Sequence, residues 1–462
     1  MNNPILLDSE NRVLAPGLRG LDFFRLVPSF KRDTLGTFSS LTERFGDTVC
    51  LRGLWTAYIL TNPAAVEYVL QTNSRNYPKS KNYDILKSST GNGLFVSDGE
   101  HWLRQRRLAQ PIFHQQRIAS FCETMTDSTA EMLARWEKLA EAGEAFDLMP
   151  ELMRLTLSIV GKSLLNTDLG SAASVFGDAF ETVREFTVKR LMALVKIPDA
   201  VPTPLNLRFR RAIKSVDEIV YRLISERRKS PAEFDDLLAM LMWAQDAETG
   251  ASMNDVQLRD EVMTLIGAGY ETTTQALGWT FYLLGKNPEK EAKLRGEIEN
   301  VLAGETPTFE DLPRLAYTRQ VFQEAMRLYP PVWAFSRVAA RADEIGGFFV
   351  PAKSEVLLMP FITHRHTEFW DAPDEFEPER FSAENSASRP KFAYFPFGGG
   401  ARQCIGNHFA QMEAQIIIAM VLQKFRVSLA VNQTVEPETS VTLRPKNGVK
   451  VILKKVCEAR NW

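Results

Sequence analysis

The 462-residue sequence predicts a mainly α fold with small β-sheets, and three observations carry that expectation. Apolar residues recur at helical spacing through most of Glu100 to Met240, and again from Asn254 onward. Runs that alternate in the manner of strands are short and few. Composition does not shift along the chain and no internal repeat is evident, so residues 1–462 are expected to form one domain.

Taken in order, the chain opens with turn-rich sequence around Pro16-Gly17, followed by a helix signal from Thr34 to Phe45. Two β-like runs come next, Thr48 to Arg52 and Ala57 to Thr61, separated by the turn-prone Gly53. Pro63 to Gln71 reads as a short helix. Asn73 to Gly99 reads as a loop, and an irregular stretch of that length inside a domain is usually functional. The helical region from Glu100 to Met240 is interrupted at Gly143, Gly170, Pro202 to Pro204, and Pro231. Asn254 to Lys286 is the longest helical pattern, with Asn254 as N-cap and Gln257 three residues on, a near relative of the capping box. At about 1.5 Å per residue it reaches roughly 50 Å. A helix starting at Pro288 and another from Leu315 to Leu328 follow, then short strands and irregular sequence to Phe397.

Charge and cysteine content exclude several functions. The net charge is −2, so no global basic field points to nucleic acid. Cys50, Cys122, Cys404 and Cys457 are far apart with no Cys-x-x-Cys pair, which argues against a zinc site or disulfide framework and for a reducing, cytoplasmic compartment. Asp8, Glu10, Arg12 and Arg19 interrupt the N-terminus, so no signal peptide is expected. The longest apolar run, Ile416 to Leu422, is far below the roughly 18 residues that span a bilayer, and no membrane anchor is expected.

The chemistry centres on Phe397 to Gly406, Phe-Gly-Gly-Gly-Ala-Arg-Gln-Cys-Ile-Gly. Three glycines permit positive φ and leave room for a flat ligand. Backbone N–H groups of such a turn, Arg402, and the N-terminus of the helix predicted after Gly406 all favour a thiolate at Cys404. A lone intracellular cysteine is more often a small buried hydrophobe. Here, however, Phe397, Gly400, Arg402, Cys404 and Gly406 stand at the spacing Phe-x-x-Gly-x-Arg-x-Cys-x-Gly, which resembles the haem-binding loop of the cytochrome P-450 family. The resemblance implies that Cys404 is the axial thiolate of haem b iron. It also implies the family fold, with haem between a long central helix and the helix after the cysteine loop.

Four further motifs follow the same resemblance, in register from Trp102 to Gly406. Ala268-Gly269-Tyr270-Glu271-Thr272-Thr273 sets a glycine and back-bonding threonines inside the long helix, where they are expected to bend or open it. Read by itself, this is as readily a packing glycine. The segment is similar to the family's oxygen-activating motif, so Thr272 would hydrogen-bond the oxygen being activated and Glu271 would feed protons through water. Glu324 and Arg327 share a helix face at i and i+3, and with Arg380 of Pro378-Glu-Arg-Phe381 they resemble the family's buried Glu-Arg-Arg network. Trp102 and Arg106, at i and i+4, match the family's Trp-x-x-x-Arg pattern and imply donors to the haem propionates, joined by Arg402, Arg337 and His101. Cys404 and His408 could be misread as a catalytic dyad, but no third group orients the histidine.

The implied activity is that of a soluble, monomeric haem-thiolate monooxygenase, inserting one atom of O2 into a lipophilic molecule of the fatty acid, terpenoid or steroid class. No flavin or dinucleotide domain is visible, so electrons are expected from a ferredoxin or flavodoxin with its NAD(P)H reductase. The alternative is a peroxygenase or isomerase that does not use O2. An apolar pocket is expected from Tyr83 to Val96, including Leu86 and Phe95; from Phe176 to Val195; from Leu265 and Ala268 to Thr272; and from Val332 and Trp333 to Phe335. If Trp102 and Arg106 face the haem, Arg104 lies on the opposite side of its helix, where with Arg107, His114, Arg117 and Lys391 it would offer an acidic electron donor a basic surface.

Overall fold

The β-like runs of the N-terminal region pair as expected. In the computed structural model, Thr48–Arg52 and Thr56–Leu60 form an antiparallel hairpin, with Cys50 opposite Tyr58. The hairpin sits in a five-stranded sheet ordered Gly17–Arg19, Thr48–Arg52, Thr56–Leu60, Glu355–Leu358, Phe335–Val338. Its apolar side chains, among them Tyr58, Leu60, Val356 and Leu358, form a core with Val66, Val69, Phe392 and Phe395. The structure describes residues 6–7, 10–53, 56–191, 198–229, 236–245, 250 and 252–456. Pro231, Cys457 and residues 192–195 of one expected pocket stretch lie outside them.

Two compact units emerge. The first comprises 1–83 and 326–404 and holds the five-stranded sheet, the helix Thr34–Phe45 and the loop that ends at Cys404. The second comprises 84–325 and 405–462 and is predominantly helical. Both units are discontinuous in sequence, so no single linker could have marked the division.

Helices of the second unit follow their sequence signals closely. Asp255–Lys286 is continuous α-helix, opened by Asn254 in a complete capping box with Gln257. The helix is unbroken in hydrogen bonding through Gly269. Thr272 and Thr273 do bond back to the carbonyls of Ala268 and Gly269, and a Cβ on Gly269 would lie 3.0 Å from Val160 Cγ2. Gly269 therefore acts as a packing glycine, letting the helix Leu148–Leu165 approach. Thr156 of that helix binds the Thr274 hydroxyl at 2.8 Å.

The stretch Asn73 to Gly99 is less irregular than its composition suggests. Asp84–Thr90 is α-helical, and Ser88 donates to Asp199 at 2.7 Å. That partner is more than a hundred residues away, and tertiary bonds of this kind overrule weak local propensity.

Candidate active site

The Cys404 loop is built by glycines with different tasks. Gly398 and Gly400 adopt φ of +68° and +64°, whereas Gly399 is extended. A Cβ on Gly400 would stand 1.9 Å from the Leu70 carbonyl oxygen, and one on Gly399 would stand 2.3 Å from Phe392. These two glycines make room for the protein's own chain. Only at Gly398 would a Cβ meet nothing within 4 Å, so the space for a flat ligand is narrower than three glycines imply. The Cys404 N–H donates to the Phe397 carbonyl at 2.9 Å and closes the loop. Cys404 is exposed while Cys50 and Cys122 are buried, and burial pushes the Cys122 thiol up to about 11. Two residues after Cys404, Gly406 stands at the N-cap of the helix Asn407–Lys424, with no side chain capping it.

The loop is braced from behind by Arg327, which is completely buried. Its guanidinium donates to the carbonyls of His364 at 2.9 Å, Pro373 at 2.6 Å and Glu375 at 2.9 Å. Arg380 donates to the Ala372 carbonyl at 2.9 Å, so the two arginines converge on one segment of main chain. His364 passes the support onward, its Nε2 accepting from the Phe395 N–H at 2.9 Å, two residues before Phe397. Complete burial and the charges of Arg327 and Arg365 hold this imidazole well below its ordinary 6.5, hence neutral and able to accept. Glu324, on the same helix as Arg327, is also completely buried.

Arg337 and Tyr83, expected at haem and substrate respectively, lie together. Burial pushes the Tyr83 phenol up, and the Arg337 guanidinium and the Ser336 backbone oppose it. Val332 and Trp333 are half-buried, the Trp333 ring lying 6.4 Å from Phe38. Cys404, Arg402, Phe397, Arg337, Tyr83, Val332, Trp333, Arg327 and Arg380 belong to the first unit; Trp102, Arg106, His101, Ala268, Leu265, Glu271, Thr272, Leu86, Phe95, Glu324 and Gly406 belong to the second.

In the second unit the long helix is buried through most of its length but opens in its middle. Ala268 is exposed, Thr272 is half-exposed, and a Cβ on Gly267 would meet nothing within 4 Å. Leu265 on the preceding turn is buried. Glu271 is buried and points elsewhere: its Oε1 accepts from the Thr442 hydroxyl at 2.8 Å and from Gln275 Nε2 at 3.1 Å. Burial raises this carboxyl above its ordinary 4.5, while Thr442, Gln275 and the nearby Arg444 pull it back. Arg444 joins Glu438 at 2.7 Å and Glu181 at 3.1 Å, a charged cluster at the outer side of Glu271.

Sequence reasoning missed Thr442, whose partner is 171 residues away and leaves no local trace. It also missed Glu413, completely buried, whose carboxyl burial raises well above the ordinary range. A signal existed: Glu413 stands four residues after Phe409 and three before Ile416, a carboxyl on an apolar helix face.

On the helix Gly99–Ala109, Trp102 and Arg106 are half-buried, and His101 Nε2 lies 3.1 Å from the Asn92 carbonyl. Arg104 corrects an expectation. It is half-buried rather than fully solvent-facing, its Nη2 donating to the Ser252 carbonyl at 3.3 Å. Arg107 and His114 are exposed. Phe176 and Phe186, in another expected pocket stretch, are buried, Phe186 stacking on Phe209 at 4.0 Å.

The exposed Cys404 on its glycine-shaped loop, in one unit, and Thr272 at the opening of the long helix, in the other, lie in the motifs that resemble those of the haem-thiolate oxygenases. The chain belongs to the cytochrome P450 family, whose profile matches residues 16–453. Cyclooctatin synthase of Streptomyces melanosporofaciens is 36% identical over 438 residues, covering 93% of each chain. Cyclooctat-9-en-7-ol 5-monooxygenase of the same organism is 36% identical, covering 83% of each. Pentalenene oxygenase of Streptomyces avermitilis is 35% identical, covering 87% of this chain and 88% of the relative. The crystal structure of the cytochrome P450DA heme domain superposes with a TM-score of 0.84 at 25% identity, covering 96% of this chain and 98% of that one. The protein is an oxidoreductase of the monooxygenase type with a haem iron cofactor. Among the described residues no helix is long and apolar enough to cross a membrane.

Proposed function

We propose that this enzyme oxygenates a terpenoid, working as a cytoplasmic monomer with electrons from a separate ferredoxin or flavodoxin and its NAD(P)H reductase. The observation that supports the substrate reading is the opening at Gly267, Ala268 and Thr272, an apolar surface offering one hydroxyl. A lipophilic molecule with few polar handles suits such a surface. Relatives named for cyclooctat-9-en-7-ol and pentalenene support the same class.

Cys404 would hold the haem iron, with Arg402, Arg337, Trp102, Arg106 and His101 toward its propionates. Its exposure and the clear space at Gly398 fit that group. Bound haem supplies the redox chemistry by which one atom of O2 enters the substrate and the other leaves as water. The chain supplies the protons. Glu271, raised by burial, keeps a proton at higher pH than an ordinary carboxyl and can pass it through water toward Thr272. The Thr272 hydroxyl donates to the Ala268 carbonyl at 2.7 Å and so keeps lone pairs able to receive it.

The test is turnover of pentalenene and cyclooctat-9-en-7-ol with a surrogate ferredoxin and reductase under labelled O2. The expected result is one labelled oxygen in the product and dependence on reductant. Product formed from peroxide alone, with none from O2 and reductant, would instead favour the peroxygenase reading. Cys404→Ser is expected to abolish the red-shifted Soret band of the ferrous carbonmonoxy protein, and survival of that band would remove Cys404 as ligand.

A further inference from the structure

Gly91-Asn92-Gly93-Leu94 reads as ordinary turn sequence, yet each residue meets the long helix in a defined way. The Asn92 N–H donates to Asp260 Oδ2 at 2.8 Å, and the Leu94 N–H donates to Glu261 Oε2 at 3.1 Å. Both carboxylates are inside the protein, with Asp260 9% and Glu261 2% exposed. Arg259 offsets part of their charge, binding Asp260 at 3.1 Å and Asp217 Oδ1 at 2.6 Å. Two adjacent acids point about 100° apart around a helix and receive alternate N–H groups of the turn that lies against it.

The glycines make this approach possible. Gly91 has φ of +59°, and a Cβ there would stand 1.9 Å from Asp260 Oδ1. A Cβ on Gly93 would stand 2.2 Å from Thr264 Oγ1 and 2.5 Å from the Asp260 carbonyl oxygen. From the other side, His101 fixes the Asn92 carbonyl. Held this way, the segment turns Leu94 and Val96 inward, 7% and 3% exposed, and leaves Phe95 between them 42% exposed.

We infer that Asp260 and Glu261 are positioning residues for the segment 91–96, and through it decide which substrates the opening at Ala268 admits. Glu261 stands two turns before Ala268 on the same helix, about 10 Å along its axis. Phe95 is thus carried on a rigid wall whose position two buried acids set. The inference rests on the reading of that opening as the substrate site.

Its test uses the haem-loaded protein and three variants, Glu261→Ala, Glu261→Gln and Gly93→Ala. Hydrogen exchange of amides 92–96 is expected to rise about tenfold or more in Glu261→Ala, the scale set by a lost bond to a buried charged acceptor. Glu261→Gln keeps a carbonyl acceptor and should recover most of the protection. Gly93→Ala lifts the segment without altering either acid and should raise exchange likewise, so misfolding of one variant does not remove the test. Spectral titration with imidazole and 4-phenylimidazole then reads the site itself. Affinity for the bulky ligand should change in Glu261→Ala and Gly93→Ala while imidazole binding stays near wild type. Unchanged exchange in both overturns the anchoring. Raised exchange with no difference between the two ligands overturns the role in substrate choice. The expected ligand split in the variants, with wild-type protein that oxidises neither terpenoid, would sink the proposed substrate class alone.

Discussion

The surroundings of Arg327 and Glu271 show two ways of burying an ionisable group. The Arg327 guanidinium binds three main-chain carbonyls, which neither titrate nor change rotamer. Glu271 is held by a hydroxyl and an amide side chain, both of which can turn away, and charged residues stand just beyond. The first arrangement is fixed and suits a brace. The second can exchange partners and protons, and suits a relay. Burial alone does not distinguish structure from function here; the kind of partner does.

Breaking the brace should have the largest effect. Arg327→Ala leaves three buried carbonyls without their donor, and each buried acceptor left unsatisfied costs about 1–3 kcal/mol. The expected outcome is protein that fails to retain haem, read by absorbance after gel filtration; a stable haem-loaded variant would mean that other contacts carry the loop. Glu271→Gln should leave haem content and fold intact but lower the coupling of NAD(P)H oxidation to product by about 10²-fold, with the balance appearing as peroxide. Normal coupling would make Glu271 a second structural group and erase the contrast.

Thr442→Val is a finer probe. The hydroxyl donates to the carboxylate and so favours its charged form, and its removal should raise the Glu271 carboxyl further. Coupling should fall with rising pH as Glu271 loses its proton, and in the variant that fall should occur at higher pH. Thr442→Ser should restore the wild-type profile, whereas identical profiles in all three proteins would separate Thr442 from the relay. The smallest effect concerns His364. Its folded-state value is depressed, so the folded protein resists a proton that the unfolded chain accepts below about 6.5. Stability contributed by the neutral ring is therefore present above pH 6.5 and lost progressively below it. His364→Gln, which can still accept from Phe395, should flatten that part of the acid unfolding curve; an unaltered curve would assign the acid sensitivity elsewhere.

The sequence made some of this legible and hid the rest for identifiable reasons. The helix Thr34–Phe45 matches its signal because Asp33 caps it locally through the Gly36 N–H. The capping box at Asn254 was equally readable, being complete within four residues. Arg327 could be anticipated as a buried brace from the motif, but not its handover through His364, whose acceptor role depends on a partner 31 residues away. The task of Gly269 was hidden as well, because its missing side chain makes room for Val160 of a helix more than a hundred residues earlier. The setting of Arg104 was hidden because the Ser252 carbonyl that meets it comes from 148 residues away. Local chemistry leaves a local pattern; contacts made by folding do not.

The five-stranded sheet also sets a timetable. Tyr58, on its second hairpin strand, donates its hydroxyl to the Phe349 carbonyl across 291 residues of chain. At a synthesis rate of about 5–20 residues per second, that first hairpin waits on the order of 15–60 s for its partners to leave the ribosome. Throughout that time the strand Thr56–Leu60 presents an uncovered apolar edge, because its neighbour Glu355–Leu358 does not yet exist. Yield in a heterologous host should therefore depend on holding chaperones during translation more than on the stability of the finished enzyme.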